Sequence, residues 1–161
     1  MMETLQSRPE GMAVFSVCVF CGSRDGTRDV FSEAAAKLGQ AIAHEGWQLV
    51  YGAGICGMMG TMARSAMTHG GRVFGVIPTH LPEQLMPNLD ATVFTHTMNE
   101  RKNIMLVNSD VFVILPGGLG TLDEMFEILT LKKTWTARQT GPHPESGWLL
   151  GLDPQGHARH R

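Results

Sequence analysis

The chain has 161 residues, the size of one ordinary domain, and 43% of them are hydrophobic. Its 13 basic and 15 acidic residues give a net charge near −2, which does not favour binding to nucleic acid. No apolar run approaches the roughly 20 residues that span a bilayer, and the composition is too apolar for a disordered chain. We therefore expect a globular cytoplasmic protein that contacts neither nucleic acid nor membrane.

The ends of the chain differ from its middle. The apolar run 13–20 has neither the basic flank nor the cleavage site of a signal peptide, so residues 1–12 are interpreted as a flexible tail. From residue 136 onward the chain has no Ile, Val, Phe or Met but four Gly and three Pro. Two interpretations of residues 136–161 stay open: a poorly ordered tail, or out-of-frame translation after about Trp135. Residues 13–135 are predicted to form the folded domain.

That domain alternates between short β-rich runs and amphipathic helical segments. The patterns predict strands over 14–20, 47–51, 72–77, 92–96 and 111–115, and helices over 29–45, 57–69, 98–108 and 122–134. Such alternation is typical of βαβ crossovers, and it predicts a doubly wound, mostly parallel sheet with helices on both faces, a Rossmann-like α/β fold. Ligands of such folds bind beyond the carboxyl ends of the strands.

Three cysteines are too few for a disulfide scaffold. Cys18 and Cys21 lie three residues apart in or beside a predicted strand and should point to opposite faces of the sheet. No second Cys-x-x-Cys occurs, and the histidines lack the spacing of metal ligands. We therefore predict no metal and no cofactor.

Three strand-to-helix turns are rich in glycine, which allows close backbone approach to a ligand. Together with the unpaired N–H groups of a helix N-terminus, such turns suit a phosphate. The second turn matches Gly-x-Gly-x-x-Gly but follows the second strand, and no acidic residue ends a strand about 20 residues later. Tight packing therefore explains its glycines at least as well as a dinucleotide does. The turns begin at Cys21, Gly52 and Pro116.

The third turn opens the sequence PGGLGTLDE. Thr121 and Glu124 fit a capping box, with Thr121 as the N-cap. Capping does not account for Gly117, Gly118 and Gly120, whereas a closely approaching ligand does.

The helix over 98–108 places Arg101 on one stripe with Met98 and Met105. A guanidinium among apolar neighbours needs a partner. The alternative is a solvated first turn in which Glu100 and Lys102 are exposed, because most charges lie on helix surfaces.

The segments MNERKNIM (98–105) and PGGLGTLDE (116–124) resemble the LOG family of cytokinin-nucleotide phosphoribohydrolases, whose pattern PGGxGTxxE is matched in full. The segments FCGS (20–23) and YGAGICGMMG (51–60) are also similar to that family. The resemblance implies a hydrolase that cleaves the N-glycosidic bond of AMP or a prenylated relative, working as a cytoplasmic homodimer without a cofactor. Asn99 departs from the His of many relatives, and the segment after Lys133 does not resemble them.

The resemblance also implies roles for individual residues. Arg101 and Glu124 would be the catalytic pair. The implied substrate contacts are Gly22, Ser23, Glu83, Met98, Lys102, Gly117, Gly118, Gly120, Thr121 and Thr130.

A second hypothesis is a non-catalytic carrier on the same fold, binding a nucleotide or the molybdenum cofactor. A carrier needs the glycine turns but no carboxylate beside Arg101, so the Arg101 and Glu124 pair discriminates between them. A truncated, inactive chain is a third interpretation. Lysine decarboxylation is not expected, because no lysine has the setting of a pyridoxal-phosphate site.

Overall fold

The computed structural model describes residues 14–24, 28–81 and 84–136. Within them the chain forms five strands and four helices in the predicted alternation. In chain order the elements are β1 (Ser16–Phe20), α1 (Asp29–His44), β2 (Gln48–Tyr51), α2 (Gly57–Thr68), β3 (Arg72–Pro78), β4 (Ala91–Thr95), α3 (Met98–Val107), β5 (Val111–Ile114) and α4 (Leu119–Thr136). The predictions for residues 1–12 and Glu83 lie outside the described residues, as do those for the segment beyond residue 136.

The five strands form one parallel sheet in the order β4-β3-β2-β1-β5. This confirms the predicted Rossmann-like α/β fold. From β1 the chain adds β2, β3 and β4 on one side and then returns to place β5 on the other. The strand order therefore reverses between β1 and β5, and the carboxyl ends of these two strands flank a crevice of the kind that holds ligands.

Both faces of the sheet are covered, as continuous apolar strands require. Val17 and Val19 of β1 pack with the buried residues of α1 and α2, whereas Cys18 and Phe20 pack with Met105 of α3 and Ile128 of α4. This alternation follows from the period of two along a strand. It also separates Cys18 from Cys21, which belongs to the first of these clusters, as predicted.

Helix α4 starts earlier than predicted. It begins at Leu119, and the Leu122 N–H donates to the Gly118 carbonyl at 3.2 Å, which is the first hydrogen bond of the helix. Thr121 is thus the third helical residue, and the predicted capping box with Thr121 as N-cap is wrong.

Among the described helices, none is long and apolar enough to cross a membrane.

Candidate active site

A cavity of about 800 Å³ opens at the carboxyl edge of the sheet, in the crevice between β1 and β5. The turns after β1 and β5 form its floor, and they are joined because the Gly22 N–H donates to the Pro116 carbonyl at 3.0 Å. Ten of the twelve predicted site residues line it: Gly22, Ser23, Met98, Arg101, Lys102, Gly117, Gly118, Gly120, Thr121 and Glu124.

The glycines after β5 have two different functions. A Cβ on Gly117 would overlap the Thr121 hydroxyl and lie 3.0 Å from the Gly22 nitrogen, so the packing of the two turns requires glycine there. A Cβ on Gly118 or Gly120 would meet no described atom within 4 Å. These two glycines leave open space beside the N-terminus of α4, whose first N–H groups have no partner within the helix. An anion can approach the backbone closely here.

Arg101 reaches from α3 to the carboxyl ends of β3 and β2. Its Nε donates to the Val76 carbonyl and its Nη2 donates to the Gly52 carbonyl, both at 3.0 Å. Only 12% of the side chain is exposed, and this burial lowers the pKa of the guanidinium, an effect that the nearby Glu124 carboxylate opposes. The partner that a guanidinium among apolar neighbours needs is therefore mainly backbone.

Glu124 faces Arg101 from the second turn of α4. Its Oε1 lies 4.0 Å from Arg101 Nη1, and 13% of its side chain is exposed. Burial raises the pKa of the Glu124 carboxyl to about 7, although the Arg101 charge acts in the opposite direction. A carboxyl with this pKa exchanges its proton near neutral pH, as groups in acid–base catalysis do.

Lys102 is buried on the α4 side of α3. Its Nζ lies 2.9 Å from Asp123 Oδ2 and 2.6 Å from Glu127 Oε2, and the hydrogen bonds to these two carboxylates raise the pKa of the ammonium. The lysine therefore ties α3 to α4 at the cavity wall. Its predicted substrate contact stays a prediction.

Arg24 also lines the cavity, and the sequence analysis did not single it out. It is exposed on the turn after β1, next to the predicted Ser23. The ion pairs between described side chains involve Arg101 and Lys102, so Arg24 is the cavity cation that no described carboxylate neutralises. A cation immediately after a Gly-Ser turn at the end of the first strand was the signal that could have found it.

Met98, Thr130 and Glu83 are the predicted residues at the margin of the site or away from it. Met98 lines the cavity and is 44% exposed. Thr130 is not among the lining residues; it lies near the end of the described part of α4, where its hydroxyl donates to the Phe126 carbonyl. Glu83 cannot be placed, since it lies outside the described residues.

The described residues contain no group of three or more side chains suited to a metal. Cys18 and Cys21 are free and buried. Burial raises the pKa of both thiols, that of Cys21 to about 12, so neither is a reactive thiolate at neutral pH. Arg101 and Glu124 are the oppositely charged pair whose side chains meet in the cavity.

Comparison with known sequences identifies similar proteins. A family model described as "Possible lysine decarboxylase" matches residues 59–145. The chain is 41% identical over 139 residues to a protein of Oryza sativa subsp. japonica named a probable cytokinin riboside 5′-monophosphate phosphoribohydrolase. It is 41% identical over 145 residues to a Mycobacterium tuberculosis protein named cytokinin riboside 5′-monophosphate phosphoribohydrolase. These matches cover 85% and 89% of this chain, but 60% of the rice protein and 73% of the mycobacterial one.

Solved structures share the fold. A molybdenum cofactor binding protein from Rippkaea orientalis matches with a TM-score of 0.67 and 30% identity, over 76% of this chain and 74% of that one. A Moco carrier protein from Chlamydomonas reinhardtii matches with a TM-score of 0.68 and 26% identity, over 89% of this chain and 80% of that one.

Proposed function

This chain belongs to the LOG family, and from that premise we propose that it hydrolyses the N-glycosidic bond of a nucleoside 5′-monophosphate. The products are the free base and ribose 5-phosphate. The relatives are named for cytokinin riboside 5′-monophosphates, so we propose an adenine nucleotide, either AMP or an N-prenylated relative, as the substrate. The chain spans about 60% of the length of the rice relative, and the activity is proposed for the catalytic unit that this span contains.

The observation that carries the proposal is the Arg101 and Glu124 pair. Both side chains are largely buried, they approach to 4.0 Å, and both line the cavity whose floor is the glycine turn after β5. A nucleotide with its phosphate over Gly118 and Gly120 would direct its sugar into the cavity that these two side chains line. This arrangement supports chemistry on the sugar of a bound nucleotide.

The proposed reaction breaks the bond between the anomeric carbon and the base nitrogen. The base leaves with the bonding electron pair and takes up a proton, while positive charge develops on the ribose ring, as in other glycosidic cleavages. The Glu124 carboxylate stabilises this charge and orients the water whose oxygen joins the anomeric carbon. That water loses a proton, so the overall reaction consumes one water and leaves a hydroxyl on the sugar.

Arg101 orients the substrate in this account. Its Nε and Nη2 are engaged by backbone carbonyls, so Nη1 is the donor that faces Glu124 and the cavity. The neutral carbonyl partners leave the positive charge of the guanidinium available. Arg101 therefore holds oxygen atoms of the substrate and keeps part of the Glu124 population ionised.

The lining of the cavity supports a substrate with an apolar extension on the base. Besides the polar turn, the cavity is bordered by apolar side chains on the side of β3, α2 and α3: Met58, Ile77, Leu81, Met98 and Met105. Apolar walls with a few convergent polar groups are typical of small-molecule sites. A prenylated adenine would bury its hydrocarbon chain against them.

The carrier hypothesis has one observation in its favour, since the matching solved structures include molybdenum cofactor carriers. A carrier has no need of a buried carboxyl whose pKa is raised to about 7 beside an arginine. For this reason the hydrolase is the function that the site supports best. A protein that binds AMP without releasing adenine would favour the carrier.

The test is release of free base from AMP and from N-prenylated AMP, measured for the purified protein and for Glu124→Gln. This substitution keeps the size of the side chain, removes its charge and its ability to exchange a proton, and replaces one oxygen by an amide NH2. We expect release by the unmodified chain and a fall of about 100-fold or more in kcat for the variant.

Glu33→Gln is the matched control, because Glu33 is exposed on α1. It should retain full activity, and thermal melting should show that all three proteins are folded. Equal base release by Glu124→Gln and the unmodified protein would overturn the role of Glu124.

A further inference from the structure

Gly52 is the first glycine of the Gly-x-Gly-x-x-Gly segment, and it is buried beside Arg101. A Cβ built on Gly52 would overlap Arg101 Nη2, and it would lie 2.9 Å from Arg101 Cζ and 2.7 Å from Met59 Cε. Real Cβ atoms do not approach other atoms this closely. The space left by the missing side chain is therefore the space that the guanidinium occupies.

The backbone of Gly52 also holds the group that fills this space. Its carbonyl accepts from Arg101 Nη2 at 3.0 Å, while the Val76 carbonyl accepts from Nε at 3.0 Å. Two acceptors, one in β3 and one just after β2, fix the plane of a guanidinium, because its donors have a rigid geometry. The third nitrogen, Nη1, then faces Glu124, and it lies 4.0 Å from Glu124 Oε1.

The other two glycines of the segment do something different. Gly57 has a φ of +62°, and a Cβ there would lie 2.7 Å from the backbone nitrogen of Arg24. The three atoms nearest to a Cβ on Gly54 all belong to the flexible Met59 side chain, the nearest at 3.1 Å. The three positions thus have separate explanations, and none of them requires a dinucleotide.

We propose that Gly52 is a positioning residue for Arg101: the absence of its side chain provides the recess for Nη2, and its carbonyl orients Nη1 toward Glu124. This inference rests on the proposed function for its effect on catalysis. Its structural content does not, because the recess can be tested by stability alone.

The first test is a double-mutant cycle of thermal stability with Gly52→Ala, Arg101→Ala and the double variant. Gly52→Ala should lower the Tm by about 5 °C or more when Arg101 is present. In the Arg101→Ala background, of the three nearest contacts only the one with Met59 Cε remains, and this is the end of a flexible side chain that can move. The added methyl should then lower the Tm by less than about 2 °C. An equal loss in both backgrounds would overturn the inference, because the turn itself would then require glycine.

A Gly52→Ala variant that does not fold still decides the question. The double variant must then fold about as well as Arg101→Ala if the clash with the guanidinium is the cause. Failure of both Gly52→Ala variants to fold, while Arg101→Ala folds, would contradict the proposed recess.

The second test measures base release by the same variants. A displacement of about 1 Å can reduce a rate about 100-fold, so we expect kcat of Gly52→Ala to fall by that factor. The double variant should be no slower than Arg101→Ala. Gly54→Ala, in the same turn, should change kcat less than threefold. Unchanged kcat in Gly52→Ala would contradict the proposal.

The pH profile separates positioning from general loss of structure. The Arg101 charge lowers the pKa of Glu124, so its displacement in Gly52→Ala should move the Glu124 limb of the kcat/KM profile to higher pH. An unmoved limb would contradict the proposal. If the unmodified protein releases no base, the proposed function is wrong. The double-mutant cycle of thermal stability still tests whether Gly52 provides the recess for Arg101.

Discussion

At the scale of single residues, two opposing effects act on Glu124. Burial raises the pKa of its carboxyl, and the Arg101 charge lowers it, with a net value of about 7. The carboxyl therefore changes from mostly protonated to mostly ionised between about pH 6 and pH 8. In the proposed mechanism the ionised form stabilises the charge on the sugar.

This predicts the direction of the pH dependence. Since the ionised form is active, kcat/KM should rise with pH through an apparent pKa near 7 and level off above about pH 8. The measurement is base release from AMP at saturating and limiting substrate across pH 5 to 9. Glu33→Gln should show the same rise of kcat/KM through pH 7, and the residual activity of Glu124→Gln should not show it. A value of kcat/KM that falls as pH rises through 7 would assign Glu124 the role of an acid instead.

Arg24 leads to a second residue-scale prediction. Lys102 is bonded to Asp123 and Glu127, and Arg101 faces Glu124. Among the described residues that line the cavity, Arg24 is therefore the cation that no described carboxylate balances, and we expect it to balance a phosphate. Arg24→Ala should raise KM for AMP roughly tenfold, about 1.4 kcal/mol, and change kcat less than about twofold. It should also weaken the salt dependence of KM.

Arg72→Ala is the matched control, because Arg72 is exposed at the start of β3, at the opposite edge of the sheet. It should leave KM unchanged. An Arg24→Ala variant with the KM of Arg72→Ala would show that the phosphate binds without this side chain.

At the scale of elements, the sequence contains two Thr-x-x-Glu segments at helix starts, and the structure uses the one that the sequence analysis did not choose. Thr97 is the N-cap of α3: its hydroxyl accepts from the Glu100 N–H at 3.1 Å, and the Glu100 carboxylate accepts from the His96 N–H at 2.8 Å. The Thr121 segment lies inside α4 instead, because the Gly118 carbonyl already accepts the first helical bond. The capping-box pattern favoured the later start, but the helix includes Gly120 despite the low helix propensity of glycine.

The Thr97 cap gives an element-scale prediction. Thr97→Ala removes an acceptor for a helical N–H and should lower the free energy of unfolding by about 1 kcal/mol. Chemical denaturation checks this. Thr68→Ala, at the exposed end of α2, is the control and should stay within about 0.5 kcal/mol of the unmodified protein. Equal stability of the two variants would contradict the capping role.

Element boundaries elsewhere were predictable within about two residues, because short strands rich in β-branched and aromatic residues alternate with longer helical segments bounded by glycine or polar turns. Helix α2 illustrates the limit. Its buried Met58 and Met59 border the cavity, and this position depends on how the helix is rotated over the sheet.

At the scale of the whole molecule, the class of fold and the edge that carries the site followed from the alternation of strands and helices. The order β4-β3-β2-β1-β5 did not, since it is set by pairings between distant segments, such as Cys18 beside Phe112. The role of Gly52 was hidden for the same reason. Gly52 and Arg101 are 49 residues apart, and they meet only once α2, β3 and β4 have been placed between them in the fold.

The family resemblance found Arg101 and Glu124, and the structure brings them together in one cavity. It could not indicate how they are held. The backbone acceptors for Arg101 and the carboxylates around Lys102 are contacts between elements, which a motif within one element does not encode. The predicted homodimer and the predicted contact by Thr130 stay predictions.

The central claim is that a nucleotide binds with its anomeric carbon between Arg101 and Glu124. The most direct measurement is a crystal structure of Glu124→Gln with AMP bound. We predict the phosphate over Gly118 and Gly120 and the anomeric carbon within about 3.5 to 4 Å of the residue 124 side chain. A sugar that points out of the cavity, or a phosphate bound elsewhere, would contradict the account.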